Sequence, residues 1–129
     1  MILVEISING KIVARAGAED MGQIFAILCA NGRLGSRSNA VVSDAEHVVT
    51  LNVSGTTARG GRAPNEELTY LDEELRAGDT VSIRILGEGE PSAAVRSEVM
   101  DYEAMDREEF VRSKEYYLSN RARFEGNDG

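Results

Sequence analysis

The sequence has very few of the residues that build disulfides, metal sites and nucleophilic centres. Its 129 residues include one cysteine, one histidine, two prolines and no tryptophan. Cys29 has no partner for an internal disulfide and cannot form a thiolate metal site alone, and a single histidine, His47, excludes zinc sites built on two histidines. We therefore expect no metal, no cofactor and a cytoplasmic location.

Long apolar runs are also lacking. No stretch of the sequence approaches the ~18 apolar residues that a membrane-spanning helix needs. The first residues, Met-Ile-Leu-Val-Glu, carry no positive charge ahead of an apolar segment, as a secretory signal would. We expect neither secretion by that route nor association with a membrane.

Basic residues are outnumbered: 14 Lys and Arg stand against 22 Asp and Glu, which gives a net charge of -8. The excess acid lies in the second half, because residues 1–65 carry six basic and five acidic groups, and residues 66–129 carry eight basic and 17 acidic groups. A polyanion is repelled by such a surface, so we expect no binding to nucleic acid.

The start of the chain predicts a β-hairpin. Aliphatic residues alternate with other residues through Ile8, and Asn9 with Gly10 supplies two positions that tolerate positive φ, as a type I′ turn requires. With that turn, Ile8 lies opposite Lys11, Ile6 opposite Val13 and Val4 opposite Arg15.

The next segment, residues 18–31, is predicted as a helix. Glu19 and Asp20 would lie in its first turn, where carboxylates are favoured, and Asn31-Gly32 is typical of a helix end. Its apolar stripe consists of Met21, Ile24, Phe25 and Leu28.

Alternating apolar residues predict two further strands, at 49–53 and 81–85, and a short edge strand at 40–42. Leu71 and Leu75, four residues apart, predict one helical turn. From Ser92 a long helix is expected to run to Phe124. The predicted division is therefore a core domain at 1–91, a C-terminal helix at 92–124 and a disordered tail at 125–129.

This order of elements resembles the β-grasp architecture of ubiquitin-like proteins. Leu75-Arg76-Ala77-Gly78-Asp79-Thr80-Val81 is similar to the Leu-x-x-Gly-Asp-x-Val approach to the last strand of small sulfur carriers. The resemblance implies an α+β fold with a ββαββ order, a mixed sheet and one packed helix. Those carriers end in a free Gly-Gly carboxylate, whereas this chain continues, so carrier chemistry is not implied. The chain also resembles small bacterial proteins in which an acidic helix follows such a core, a likeness that implies no activity.

Two glycine-rich loops hold the candidate ligand site. Residues 31–39 and 54–65 contain four arginines that, with exposed backbone amides, could surround a phosphate ester or another small anion: Arg33, Arg37, Arg59 and Arg62. This alternative function is a binding protein or an enzyme that acts on such a ligand. No nucleotide-binding fingerprint is present, so solvated loops are the other interpretation. His47 near Asp44 and Glu46 could serve as a base, although a surface histidine is the commoner case, and Cys29 is expected to be buried.

The C-terminal helix is the candidate partner-binding surface. Its apolar residues in the second half are Phe110, Val111, Tyr117, Leu118 and Phe124. Residues 98–109 carry a net charge of -5 and residues 110–124 a net charge of +3. The leading hypothesis is a non-catalytic protein that binds a basic partner, as immunity-type inhibitors of basic toxins do. The same stripe also predicts a homodimer, or else packing of the helix on its own sheet.

Overall fold

The computed structural model describes residues 1–41 and 46–125. Within these ranges the chain forms seven strands followed by one helix: β1 Leu3–Ile8, β2 Lys11–Ala16, β3 Met21–Gly32, β4 His47–Thr57, β5 Glu66–Leu75, β6 Val81–Leu86, β7 Arg96–Val99 and α1 Tyr102–Phe124. The α+β class is confirmed. The ββαββ order of a β-grasp is not formed, because no helix lies between the strands of the described ranges.

The strands form two antiparallel sheets instead of the single mixed sheet that the β-grasp resemblance implies. Sheet A has the order β2-β1-β6, and sheet B has the order β3-β4-β5-β7. Both sheets belong to one compact unit, Met1–Val99, and α1 lies in a second unit that begins at Met100. The strands predicted at 49–53 and 81–85 are confirmed as parts of β4 and β6.

The predicted hairpin is confirmed, but the predicted pairing of residues across it is correct only next to the turn. Asn9 and Gly10 have φ values of 53° and 81°, and Ile8 lies opposite Lys11. A β-bulge between Ile6 and Ser7 then shifts the pairing by one residue, so Ile6 lies opposite Ala14. The predicted Ile6–Val13 and Val4–Arg15 pairs are therefore wrong.

The bulge decides which side chains of β2 enter the core. Ala14 and Ala16 are buried on the face that they share with Ile6. Arg15 moves to the other face, where its Nε lies 2.8 Å from a carboxylate oxygen of the buried Glu5. The shift thus places two small residues against the core and gives Glu5 a charged partner.

The helix predicted at residues 18–31 is wrong, because this segment forms β3. Every residue from Ile24 to Ala30 is apolar, so the run satisfies the helical period and the strand period equally. Pairing decides between them: β3 is hydrogen-bonded along β4 from Met21 to Gly32. The apolar stripe therefore did not identify a helix.

Predictions for the turn at Leu71 and Leu75 and for the start of the C-terminal helix are also wrong, and those for the edge strand and the tail fall partly or wholly outside the described residues. Leu71 and Leu75 belong to β5 rather than to a helical turn, since residues four apart share a face in a strand as well. The C-terminal helix begins at Tyr102 and not at Ser92, because residues 96–99 pair with β5 as β7. No strand contains Ala40 or Val41, and residues 42 and 126–129, from the predicted edge strand and tail, lie outside the described residues.

The core lies between the two sheets. Its buried residues are Ile6, Ala14, Ala16, Leu51, Val53, Tyr70, Leu71 and Leu75. Tyr70 also donates a 2.9 Å hydrogen bond from its hydroxyl to the carbonyl oxygen of Gly17, in the connection between β2 and β3. This bond ties sheet B to the segment that links the two sheets.

Tyr70→Phe tests this contact. The variant leaves the Gly17 carbonyl without its donor, so we expect about 1–2 kcal/mol less stability at neutral pH. Burial raises the pKa of the Tyr70 hydroxyl above its usual value of 10.0, so the protonated hydroxyl stabilises the fold below about pH 10 and this contribution is lost as the pH rises further. Urea unfolding at several pH values should show the gap between wild type and variant closing above pH 10. A gap that stays constant would contradict the assignment.

A second set of hydrogen bonds joins two turns that are far apart in the sequence. The Asn9 side chain donates to Asp79 Oδ1 at 3.0 Å and accepts from the backbone N–H of Thr80 at 2.9 Å. Asp79 Oδ2 accepts from the N–H of Arg76 at 2.7 Å. The bond from Asn9 and then the one from Arg76 lower the pKa of Asp79. Gly78-Asp79, which carried the resemblance to sulfur carriers, has a structural role here.

Candidate functional site

The two arginine-containing loops lie at opposite ends of β4. The loop at 31–39 follows β3, whose last residue Gly32 is paired with His47 at the start of β4. The loop at 54–65 begins within β4 and leads to Glu66 at the start of β5. Since β4 has 11 residues, its ends are roughly 34 Å apart at 3.4 Å per residue. A single phosphate cannot contact both loops.

Arg59 is held by groups of its own chain. Its Nε lies 2.9 Å from Asp20 Oδ2, one terminal nitrogen lies 3.0 Å from Glu66 Oε2, and the other donates to the carbonyl of Pro64 at 2.8 Å. The bond to Asp20 is the main reason that the pKa of Arg59 is raised. This guanidinium joins the start of β3 to the β4–β5 loop, which gives it a structural role.

Arg33, Arg37 and Arg62 are exposed. In the described part of the chain, none of the three guanidinium groups makes a hydrogen bond or an ion pair. Each loop thus offers solvated positive charge, but the structure does not bring the four predicted arginines together.

His47 and Cys29 are both exposed. His47 is the first residue of β4, and the nearby Asp44 lies outside the described residues. The predicted burial of Cys29 is wrong: its sulfur is accessible and accepts a 3.0 Å hydrogen bond from the Asn31 side chain. The error follows from the misassigned helix, since Cys29 lies on an edge strand. Residues 1–41 and 46–125 contain no group of three His, Cys, Asp or Glu side chains suited to a metal ion.

The helix α1 has well-formed ends. The Asp101 side chain caps its first turn by accepting from the N–H of Ala104 at 3.0 Å. Acidic Glu103 lies in the first turn and basic Arg121 and Arg123 in the last, which is the order that the helix dipole favours. The helix contains no buried residue.

Residues 110–124 of α1 carry two apolar stripes. One consists of Phe110, Tyr117 and Phe124, at intervals of seven residues, and the other of Val111 and Leu118. At roughly 100° per residue, Lys114 and Arg121 project between the stripes. All five predicted partner-binding side chains are between 46% and 68% exposed. The helix therefore carries a continuous surface of aromatic, basic and aliphatic groups.

Sequence reasoning missed two other apolar surfaces. Ile83 and Ile85 lie on the sheet face of the buried Ile6, since Ile83 is opposite Ile6 in the register, yet both are exposed. On β3, Ile27 and Leu28 are exposed as well. The available signal was the absence of any charged residue from Met21 to Gly32, which the helix interpretation did not use.

No family model, curated protein or solved structure matches this chain. Within the described ranges, no helix combines the length and the apolar character that crossing a membrane requires. The functional proposals therefore depend on the surfaces of the chain itself.

Proposed function

We propose that the chain is a non-catalytic protein-interaction module that binds its partner through α1. The observation that carries the proposal is the exposure of five large apolar side chains between Phe110 and Phe124 on a helix that has no buried residue. Exposed aromatic and aliphatic groups at helical spacing are typical of a helix that enters a groove on another protein.

The charge of the chain supports a basic partner. The net charge of -8 attracts a basic protein at long range, and the net charge of -5 at residues 98–109 continues that attraction at the start of α1. In the second half, Lys114 and Arg121 would meet carboxylates at the rim of the groove. A small cytoplasmic inhibitor of the immunity type fits this combination.

The proposal is tested by capturing a partner from the native host and then measuring its affinity for this chain with both proteins purified. Tyr117→Ser with Leu118→Asp should weaken binding about 100-fold, since central apolar groups dominate such interfaces. The matched control is Leu34→Asp with Val95→Ser, which changes two exposed apolar residues outside α1 and should leave the affinity within a factor of three.

The salt dependence of binding tests two parts of the proposal separately: the basic partner and the apolar surface of α1. Affinity for the wild-type chain should fall steadily as ionic strength rises, because screening weakens long-range attraction. Binding that depends on α1 but not on salt would contradict the proposed basic partner and would still support α1 as the binding surface. Equal binding by the α1 variant and its control would overturn the proposed function.

A further inference from the structure

The strand β3 is a sheet edge without the protection that edges usually carry. It pairs with β4 on one side, and no strand of the described residues pairs with its other side. Its 12 residues include no charged residue and no proline. The other edge strands all carry charge: Lys11 and Arg15 in β2, Arg84 in β6, and Arg96 and Glu98 in β7. Proteins normally place such charges on edges to prevent pairing with another chain.

Both faces of β3 are apolar beside this edge. Ala26 lies opposite the buried Val53, so Leu28 is on the face that continues the core, and Ile27 is on the reverse face. Leu28 is 61% exposed and Ile27 is 55% exposed. An added strand would therefore cover apolar surface on both faces as well as pair with the backbone.

A bulge sets the length that is free to pair. The register against β4 shifts between Met21 and Gln23, and it is regular from Gln23 onward. Before the terminal Gly32 this leaves residues 23–31, whose midpoint is Ile27. Any twofold pairing that uses the whole regular edge is centred on that residue.

We propose that β3 pairs in antiparallel fashion with β3 of a second copy of this chain, with Ile27 opposite Ile27 of the other copy. A twofold axis through this pair places Ala26 opposite Leu28 and Ile24 opposite Ala30 on the core-side face, so each large residue meets a small one. On the reverse face Phe25 lies opposite Cys29, and Gln23 lies opposite Asn31, which joins amide to amide at both ends. Sheet B becomes a continuous eight-stranded sheet.

The charge pattern favours a second copy over an unrelated segment. Two chains with a net charge of -8 repel each other at long range, but β3 contributes no charge to that repulsion. The occupant must also be extended and uncharged along nine residues, and on the core-side face it must be small where β3 is large. The same strand in reverse direction meets each requirement. This dimer uses β3 rather than the α1 interface expected from the sequence, and it does not depend on the proposed function.

Sedimentation of three variants at tens of micromolar tests the interface. The wild type should be a dimer, and Ile27→Lys should be a folded monomer because it places two like charges directly opposite each other. Ile85→Lys makes the same change on the charged edge strand β6, at a side chain that is more exposed than Ile27, and should remain a dimer. Tyr117→Ser with Leu118→Asp should also remain a dimer.

Three results would overturn the proposal: a monomeric wild type, a dimer in Ile27→Lys, or loss of the dimer in the α1 variant alone. The register has its own measurement, because Cys29 is exposed and is the only cysteine. In the proposed pairing the two Cys29 Cα atoms are about 14 Å apart. Spin labels on Cys29 should give a distance below about 25 Å, allowing for their linkers. A distance above about 40 Å would exclude pairing along β3.

Discussion

Leu51→Ala should lower the free energy of unfolding by about 2–5 kcal/mol. Leu51 is 2% exposed, and it lies in the middle of β4, which is paired on both sides in sheet B. Removing most of its side chain leaves a space that neither sheet can close without disturbing its own hydrogen bonds. Urea unfolding followed by circular dichroism gives the change directly.

The same substitution at Leu118 provides the control. Leu118 lies on α1 and is 57% exposed, so Leu118→Ala should change stability by no more than about 0.5 kcal/mol. It should instead weaken binding to the partner. Equal losses of stability in the two variants would show that α1 contributes to the folded core and would contradict its proposed role.

Gly17→Ala should destabilise the fold although it adds only one methyl group. A Cβ atom at this position would overlap Cδ2 of Leu3, which is fully buried, and would lie 3.1 Å from the carbonyl oxygen of Ile2. The Gly17 peptide has little freedom to move away because its own carbonyl accepts the bond from Tyr70. We expect a loss of about 1–3 kcal/mol, as is typical of overpacked cores.

Gly87→Ala is the matched variant. No atom lies within 4 Å of the Cβ position there, and the backbone φ is outside the left-handed region. Its stability should equal that of the wild type or exceed it slightly, since alanine restricts the unfolded chain. Thermal unfolding of the pair under one condition is sufficient. If both variants unfold at the wild-type temperature, the close packing around Gly17 is not as described.

The elements that the sequence predicted correctly are those whose local signals agree. Asn9-Gly10 has the chemistry of a two-residue turn, and residues 49–53 and 81–85 alternate with a period of two. The local signals in β3 do not agree on one structure, because an uninterrupted apolar run fits a helix and a strand alike. Only pairing with β4, which is set by the whole sheet, distinguishes them.

The remaining errors have a common cause in contacts between distant residues. The bulge at Ile6 depends on which residues of β2 fit against sheet B, and the hairpin alone cannot show this. The glycine-rich loop predicts Arg59 as a ligand-binding residue, but the main partner of Arg59, Asp20, is 39 residues away in the sequence. Helical spacing is a local property, and the predicted C-terminal helix does form over Tyr102–Phe124. The role of its apolar residues as a binding surface stays a prediction.

The pairing of β1 with β6 also has a consequence for the order in which the chain folds. Leu3 is paired with Leu86, and Asn9 is bonded to Asp79 and Thr80. During synthesis the hairpin of β1 and β2 emerges first, but sheet A cannot be completed until the ribosome has released the residues of β6. Strands β3, β4 and β5 need only their sequence neighbours and can pair earlier, because short loops cost less entropy to close. While most of the chain is being synthesised, β1 is therefore paired only with β2. Its other partner, β6, is the last strand of sheet A to be synthesised.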